Sequence, residues 1–168
     1  MSRYPGSLHN HTEYSNETLR DCINTVPGLI DLAIELGHEC VAITDHETIS
    51  SYIKAEKYYK KIKEKNPDFK LIRGNEIYLT RNGLTAKNYD KTKDRYFHFI
   101  LLAKDIEGYK QICQLSTRAW QRSYMSRRQR RRPTYYQDLK DIVKPNPGHL
   151  IASSACLGSQ LDKFLLRY

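Results

Sequence analysis

The feature that most constrains this chain is a series of short apolar runs, each interrupted or closed by one ionisable residue. Cys40-Val41-Ala42-Ile43 ends at Thr44-Asp45-His46. Leu71 to Leu79 contains Glu76, and Phe97 to Ala103 contains His98. Ile151-Ala152-Ser153-Ser154 is followed by Cys156. A continuous apolar run of this length reads as a strand buried on both faces. Between the runs the apolar period changes to that of helices. Thr25 can cap a helix that Pro27 enters early, with Leu29, Ile30, Ala33, Ile34 and Leu36 inward and Gly37 as its stop. Ile49 to Lys65 reads as a second helix, with Ile53, Ala55, Tyr58, Tyr59 and Ile62 partly inward. Ile106 to about Arg122 reads as a third, and Asp138 to Val143 as a short fourth. Ser7 to His11 and His149 to Ser153 add two strands, and Thr80 to Arg95, holding Asn82-Gly83, is an excursion or hairpin. Strands alternating with helices predict an α/β fold with a largely parallel sheet.

Burying several ionisable groups is costly unless something pairs them. His9 and His11 are two apart, so on a strand both imidazoles face one side. Singly, a histidine in a strand is an ordinary hydrogen-bonded core group, and Glu76 has Arg73 nearby as a partner. Together, His9, His11, His46, Glu76, His98 and Cys156 gather near strand ends, where sites of α/β folds form. A shared metal cluster explains them all. Imidazole, carboxylate and thiolate suit Zn, Mn or Fe. A carboxylate such as Glu76 can bridge two ions, and paired ions suit phosphoester hydrolysis. Asp45 is read as the partner that orients His46.

The 168 residues carry a net charge of +9, and its distribution is uneven. Gly108 to Gln137 contains no acid but eight basic residues, Lys110, Arg118, Arg122, Arg127, Arg128, Arg130, Arg131 and Arg132. The rest of the chain is therefore nearly neutral. Arginine forks match phosphate oxygens, and Tyr124, Tyr135 and Tyr136 beside the run can stack on bases. Two readings stay open for this arm: nucleic-acid contact, or a solvated loop. The four cysteines show no CxxC spacing, which fits a reduced chain with Cys22, Cys40 and Cys113 as small fillers. No apolar window is long enough to span a membrane, and Met1-Ser2-Arg3-Tyr4-Pro5 is no signal peptide, so a cytoplasmic protein is expected.

In order along the chain, three stretches resemble the motifs of the PHP (polymerase and histidinol phosphatase) superfamily: Leu8-His9-Asn10-His11-Thr12-Glu13-Tyr14-Ser15, Thr44-Asp45-His46, and Gly74-Asn75-Glu76-Ile77-Tyr78. Ile151-Ala152-Ser153-Ser154-Ala155-Cys156-Leu157-Gly158 is most similar to the PHP domain at the N-terminus of bacterial-type replicative polymerases, the DNA polymerase III α subunits of bacteria or phages. The resemblance covers about Tyr4 to Leu161. It implies a distorted (β/α)7 barrel, one PHP domain over 1–168 with the basic arm at 118–137 inside it. It also implies a site of up to three ions. His9 and His11 would hold one, Glu76 would bridge to a second served by His98 and Cys156, and His46 with Asp21 would hold a third. The family's late Asp-x-His element has no counterpart here, so the barrel is expected to stop before its last strands. The implied partners are DNA, the rest of a polymerase chain and a proofreading exonuclease subunit, with no membrane. The implied activity is metal-dependent phosphoester hydrolysis of the 3′–5′ exonuclease type. A non-catalytic docking module and a stand-alone phosphatase acting on histidinol phosphate are the alternatives. DNA contact is assigned to Arg127, Arg128, Arg130, Arg131 and Arg132.

Overall fold

The computed structural model describes residues 5–18, 20, 22–90, 92–126, 129–156 and 159–165. After a 3-10 turn at Glu13–Glu17, the elements run α1 (Val26–Glu35), β1 (Cys40–Ile43), α2 (Tyr52–Ile62), β2 (Lys70–Thr80), β3 (Phe97–Ala103) and α3 (Ile106–Gln121). The hairpin strands β4 (Tyr124–Ser126) and β5 (Gln129–Arg131) follow. The chain continues through β6 (Thr134–Tyr135), α4 (Tyr136–Ile142), β7 (Leu150–Ser154) and α5 (Gln160–Leu165).

Five strands form one mixed α/β sheet in the order β1-β2-β3-β7, with β6 added to β2. The pairs β1–β2 and β2–β6 are parallel, whereas β2–β3 and β3–β7 are antiparallel. This corrects the largely parallel sheet expected from the sequence. The 81–96 excursion turns the chain straight back from β2 into β3, and a return without a crossover helix is antiparallel. Among the described residues the sheet is open and no closed barrel forms.

The segment at Ser7–His11 also departs from the strand expected. It runs beside β1 but makes only one ladder bridge, Ser7 with Val41. The Asn10 side chain reinforces the contact, its amide donating to the Ser7 and Ala42 carbonyls, while the Asn10 backbone N–H donates to Thr44 Oγ1 and the Asn10 carbonyl accepts from Thr44 N–H.

Strand β2 sorts the sheet's two faces. Ile77 and Leu79 join Leu101, Ile112, Leu115 and Ile142 in a core under α3 and α4. Glu76 and Tyr78 alternate to the other face, opposite Ile100 and His98 of β3. A separate core of Val26, Ile30, Ala33, Val41, Ile43, Ala55 and Phe69 fixes α1 and α2 against β1. In α2 the inward face follows Tyr52, Ala55, Tyr59 and Ile62, so Ile53 is turned out to solvent at 66% exposure rather than inward. Gly74 is needed where β1 and β3 close on β2. A Cβ there would lie 2.6 Å from Leu102 Cδ2 and 2.8 Å from Thr44 Cγ2.

Among the described residues, the arginines of the basic run lie at the end of α3, on β5 and on the approach to β6. Arg118 and Arg122 pair with Asp138 on α4, and Arg118 also reaches Asp141. Arg132 is buried, donating to Glu17 Oε2 and Thr18 Oγ1 with its guanidinium 3.8 Å above the Trp120 ring centre. Its assignment to nucleic acid is therefore corrected: it ties the segment after β5 to the end of the 3-10 turn. Arg127 and Arg128 lie outside the described residues.

Candidate metal centre

Each histidine is brought to the centre by a different local device. Strand β1 ends at Ile43, and its continuation bridges to β2 at His46 and Glu76. Backbone bonds Glu47 N–H to Glu76 O and Glu76 N–H to Asp45 O hold that bridge. The Asn75 amide donates to the carbonyls of Asp45 and Thr48, fixing the loop that carries His46. His98 faces Tyr78 across the β2–β3 ladder, and the two rings stack at 4.2 Å. Because β3 is antiparallel to β2, the beginning of β3 lies at the same end of the sheet as the end of β1.

The result is four imidazoles around one buried carboxylate. Oε2 of Glu76 lies 3.2 Å from His9 Nε2, 3.2 Å from His11 Nε2 and 2.9 Å from His46 Nδ1. Oε1 lies 2.8 Å from His98 Nδ1, but out of line for a hydrogen bond. Burial opposes the charge on Glu76, and the contacts from His11, His46, His9 and His98 more than offset it. The carboxyl is held well below the usual range. Cys156 Sγ, exposed, adjoins the cluster 3.3 Å from His98 Nδ1.

Asp45 acts on this arrangement through Thr12 and Ser15. It accepts from Thr12 N–H at 2.6 Å, from Thr12 Oγ1 and from Ser15 Oγ at 2.9 Å. Ser15 Oγ thus gives its single proton to Asp45 and accepts from His46 N–H at 3.1 Å. His11 Nδ1, 3.2 Å from the same hydroxyl, must then be the donor. In the metal-binding, neutral form of the ring this leaves the lone pair of His11 on Nε2, facing the Glu76 carboxylate and lying 3.0 Å from His9 Nε2. The assignment follows from the hydrogen-bond pattern.

A lone pair aimed at a carboxylate is repelled unless a cation lies between them, and the spacings suit one. An ion with bonds of about 2.0–2.1 Å places tetrahedral ligand atoms about 3.3 Å apart. The His9, His11 and Glu76 donor atoms are 3.0 to 3.2 Å apart. Two groups fit a metal among the described residues: His9, His11 and Glu76, and His46, Glu76 and His98. His46 Nδ1 thus joins the second group, where the resemblance assigned the residue to a third ion with Asp21. Asp21 itself lies outside the described residues.

Sequence reasoning missed several contributors. The Tyr78 hydroxyl lies 3.0 Å from His46 Nδ1, and its position two residues beyond Glu76 on the strand was the available signal. Glu47, buried beside His46 with φ 53°, has its carboxyl pushed up to about 7 by burial, against the charges of Arg131, Arg132 and His46. Nothing in its sequence surroundings marks it.

Comparison with known proteins defines the class. A family model, "PHP domain", matches residues 7–168, so the chain belongs to the PHP family. It is 37% identical over 163 residues to "Probable DNA polymerase YorL" of Bacillus subtilis, covering 95% of this chain and 12% of that protein. A "DNA-directed DNA polymerase" of Bacillus phage SPbeta matches to the same extent. "DNA polymerase III subunit alpha" of Deinococcus radiodurans is 29% identical over 169 residues, covering 95% of this chain and 11% of that protein. The chain is homologous to the N-terminal PHP domain of DNA polymerase III α subunits, and it spans about one eighth of the length of these relatives. A solved structure described as a metal-dependent phosphoesterase, from Bifidobacterium adolescentis, is 21% identical over 70% of this chain and 35% of its own. Its TM-score is 0.40, a likeness too slight to bear on function. Among the described residues no helix is long and apolar enough to cross a membrane.

Proposed function

We propose that this chain is the PHP portion of a replicative DNA polymerase α subunit, with a phosphoesterase centre of the 3′–5′ exonuclease type acting on DNA. The observation that carries the reading is the convergence of His9, His11, His46 and His98 on Glu76. Up to three ions of Zn, Mn or Fe would be held there by those residues, with Cys156 and Asp21 as further ligands. Bound ions would supply Lewis-acid polarisation of the phosphoester and activation of the attacking water. The chain's own residues do the positioning. Asp45 and Ser15 fix the tautomer of His11, and Tyr78 restrains His46. The Glu76 carboxylate, kept ionised, faces all four histidines, Oε2 toward His9, His11 and His46 and Oε1 toward His98. The open sheet is read as part of the family's distorted (β/α)7 barrel. A cytoplasmic setting suits four cysteines that are in thiol form.

The test is cleavage of end-labelled single-stranded DNA with added Mn or Zn, by the intact chain and by His9→Ala and Glu76→Ala variants. Metal-dependent shortening from the 3′ end, lost in both variants, is expected. Equal cleavage by Glu76→Ala sinks the reading. A second reading, a non-catalytic module that docks the remaining polymerase chain or a proofreading subunit, draws on one observation. Ile151 on β7 and Leu161, Phe164 and Leu165 on α5 are all exposed. Full metal loading without cleavage of any single-stranded DNA favours it.

A further inference from the structure

The arginines of the hairpin region are not equivalent. Arg118, Arg122 and Arg132 are engaged by Asp138, Asp141 and Glu17. Arg131, at the end of β5, has no carboxylate within ion-pair distance among the described residues. Its side chain donates to Gln129 Oε1 at 3.0 Å. Its guanidinium lies over two rings instead, 5.4 Å from the centre of Tyr78 and 5.2 Å from that of Tyr96. Tyr78 touches the metal centre directly through its hydroxyl at His46 Nδ1 and its ring on His98. In the other direction, Tyr96 stacks on Tyr89 at 5.8 Å and 25°. Tyr89 sits in the 81–96 excursion and is 40% exposed. A column of alternating rings and cation therefore runs from the metal ligands to an exposed aromatic face: His98, Tyr78, Arg131, Tyr96, Tyr89. The hydroxyl of Tyr96 is fixed by that of Tyr124 on β4, which anchors the column to the hairpin.

We propose that Tyr89, Tyr96 and Arg131 form a base-stacking subsite for a single-stranded oligonucleotide whose phosphodiester lies at the metal centre. The proposal rests on the phosphoesterase reading of that centre and names its substrate class. The chemistry is that of single-strand binding: a guanidinium held in no ion-pair contact among the described residues neutralises backbone phosphate, while aromatic faces take bases without regard to sequence. A duplex cannot use such a platform, because its bases are stacked on one another. Tyr89 presents its ring to solvent at the outer end of the column, where an unpaired base can reach it.

The experiment compares two decamers carrying the same phosphorothioate backbone, one of thymidine and one abasic throughout, binding to the intact chain by fluorescence anisotropy. The thymidine decamer is expected to bind at least about fivefold tighter, the smallest effect of stacking one base. Tyr89→Ala should remove most of that ratio and leave affinity for the abasic decamer within about twofold. Arg131→Ala should weaken both decamers. Tyr89 is exposed and outside the core, so its variant tests binding rather than folding, and an unchanged melting temperature verifies this. Equal affinity of the intact chain for both decamers overturns the proposal, as does a ratio that survives in Tyr89→Ala. Metal-dependent cleavage is followed separately on the ordinary phosphodiester versions of both decamers, thymidine and abasic. Metal-dependent cleavage with equal binding overturns the stacking subsite and leaves the phosphoesterase reading standing. A thymidine preference lost in Tyr89→Ala, with no cleavage of either decamer, supports the subsite and removes the phosphoesterase reading.

Discussion

Arg132 gives the sharpest separation between a structural and a nucleic-acid role for the basic run. In the structure its side chain is 1% exposed. Nη1 donates to Thr18 Oγ1 and Nη2 to Glu17 Oε2, both at 2.8 Å, and the fork covers Trp120. A desolvated cation–π contact is worth about 2 kcal/mol, and a hydrogen bond from a charged group about 1.5–3 kcal/mol. The Glu17 pair adds little, ~0–1 kcal/mol, because Glu17 is half-exposed. Against these stands the cost of burying a guanidinium, several kcal/mol in general, with Nε left without a partner. The net loss in Arg132→Ala is then about 2–4 kcal/mol. At ~2–4 °C per kcal/mol for a chain of this length, the melting temperature should fall by roughly 5–15 °C. Arg132→Lys keeps the charge but loses the fork and the planar stack, and should lose about half as much. The assays are thermal denaturation by circular dichroism and the salt dependence of single-stranded DNA binding. Arg132→Ala should leave the slope of log K against log salt unchanged, whereas exposed Arg130→Ala should lower it by up to ~0.7 without moving the melting temperature. An Arg132→Ala chain that melts within about 1 °C of the intact one, yet shows a reduced slope, would refute the reasoning.

Two further predictions follow from the polar networks. Asp45→Asn replaces the acceptor that orders Thr12 and Ser15 and so frees the tautomer of His11; metal affinity should fall ~10–100-fold, read by competition with a chromophoric chelator, and an unchanged affinity would remove Asp45 from the positioning chain. Asp138 is buried, which raises its carboxyl, but Arg122, the Tyr135 N–H and Arg118 outweigh that and hold it below the ordinary value. A lowered folded-state value means the stabilisation is present above the unfolded carboxylate range near pH ~4. It is lost as pH falls through the folded value. The intact chain should therefore lose stability on acidification more steeply than Asp138→Asn, which should already be ~2–4 kcal/mol weaker at pH 7. Parallel pH profiles for the two chains would contradict the pairing.

Much of the centre was legible because burial makes a polar residue conspicuous. Glu76 and His98 stand out inside runs that are otherwise apolar, and His46 ends one. The structure brings them together because a parallel and an antiparallel pairing place those points at one end of the sheet. Strand direction was not legible. It depends on whether the 81–96 excursion folds back or crosses over, which local composition does not state. The charge of the basic run was countable, but its partners Glu17, Asp138 and Asp141 lie far along the chain or beyond the run. A sequence count therefore sees free arginines where tertiary structure makes pairs. Ile53 shows the limit of apolar patterning: it is one residue off the stripe of Tyr52, Ala55, Tyr59 and Ile62, and one residue turns a side chain about 100° around a helix. The bonds of Asp45 pass through Thr12 and Ser15, and the spacing of a sequence motif does not state which hydroxyl a distant carboxylate will meet.

The most direct test of the metal centre is elemental analysis of the purified chain beside its Glu76→Ala variant. Glu76 is shared by both ligand groups, so one substitution should damage both. Two or three equivalents of Zn, Mn or Fe in the intact chain, falling below one in the variant, is the expected result. Substoichiometric metal in both, or equal loading of the two chains, would contradict a cluster built on Glu76.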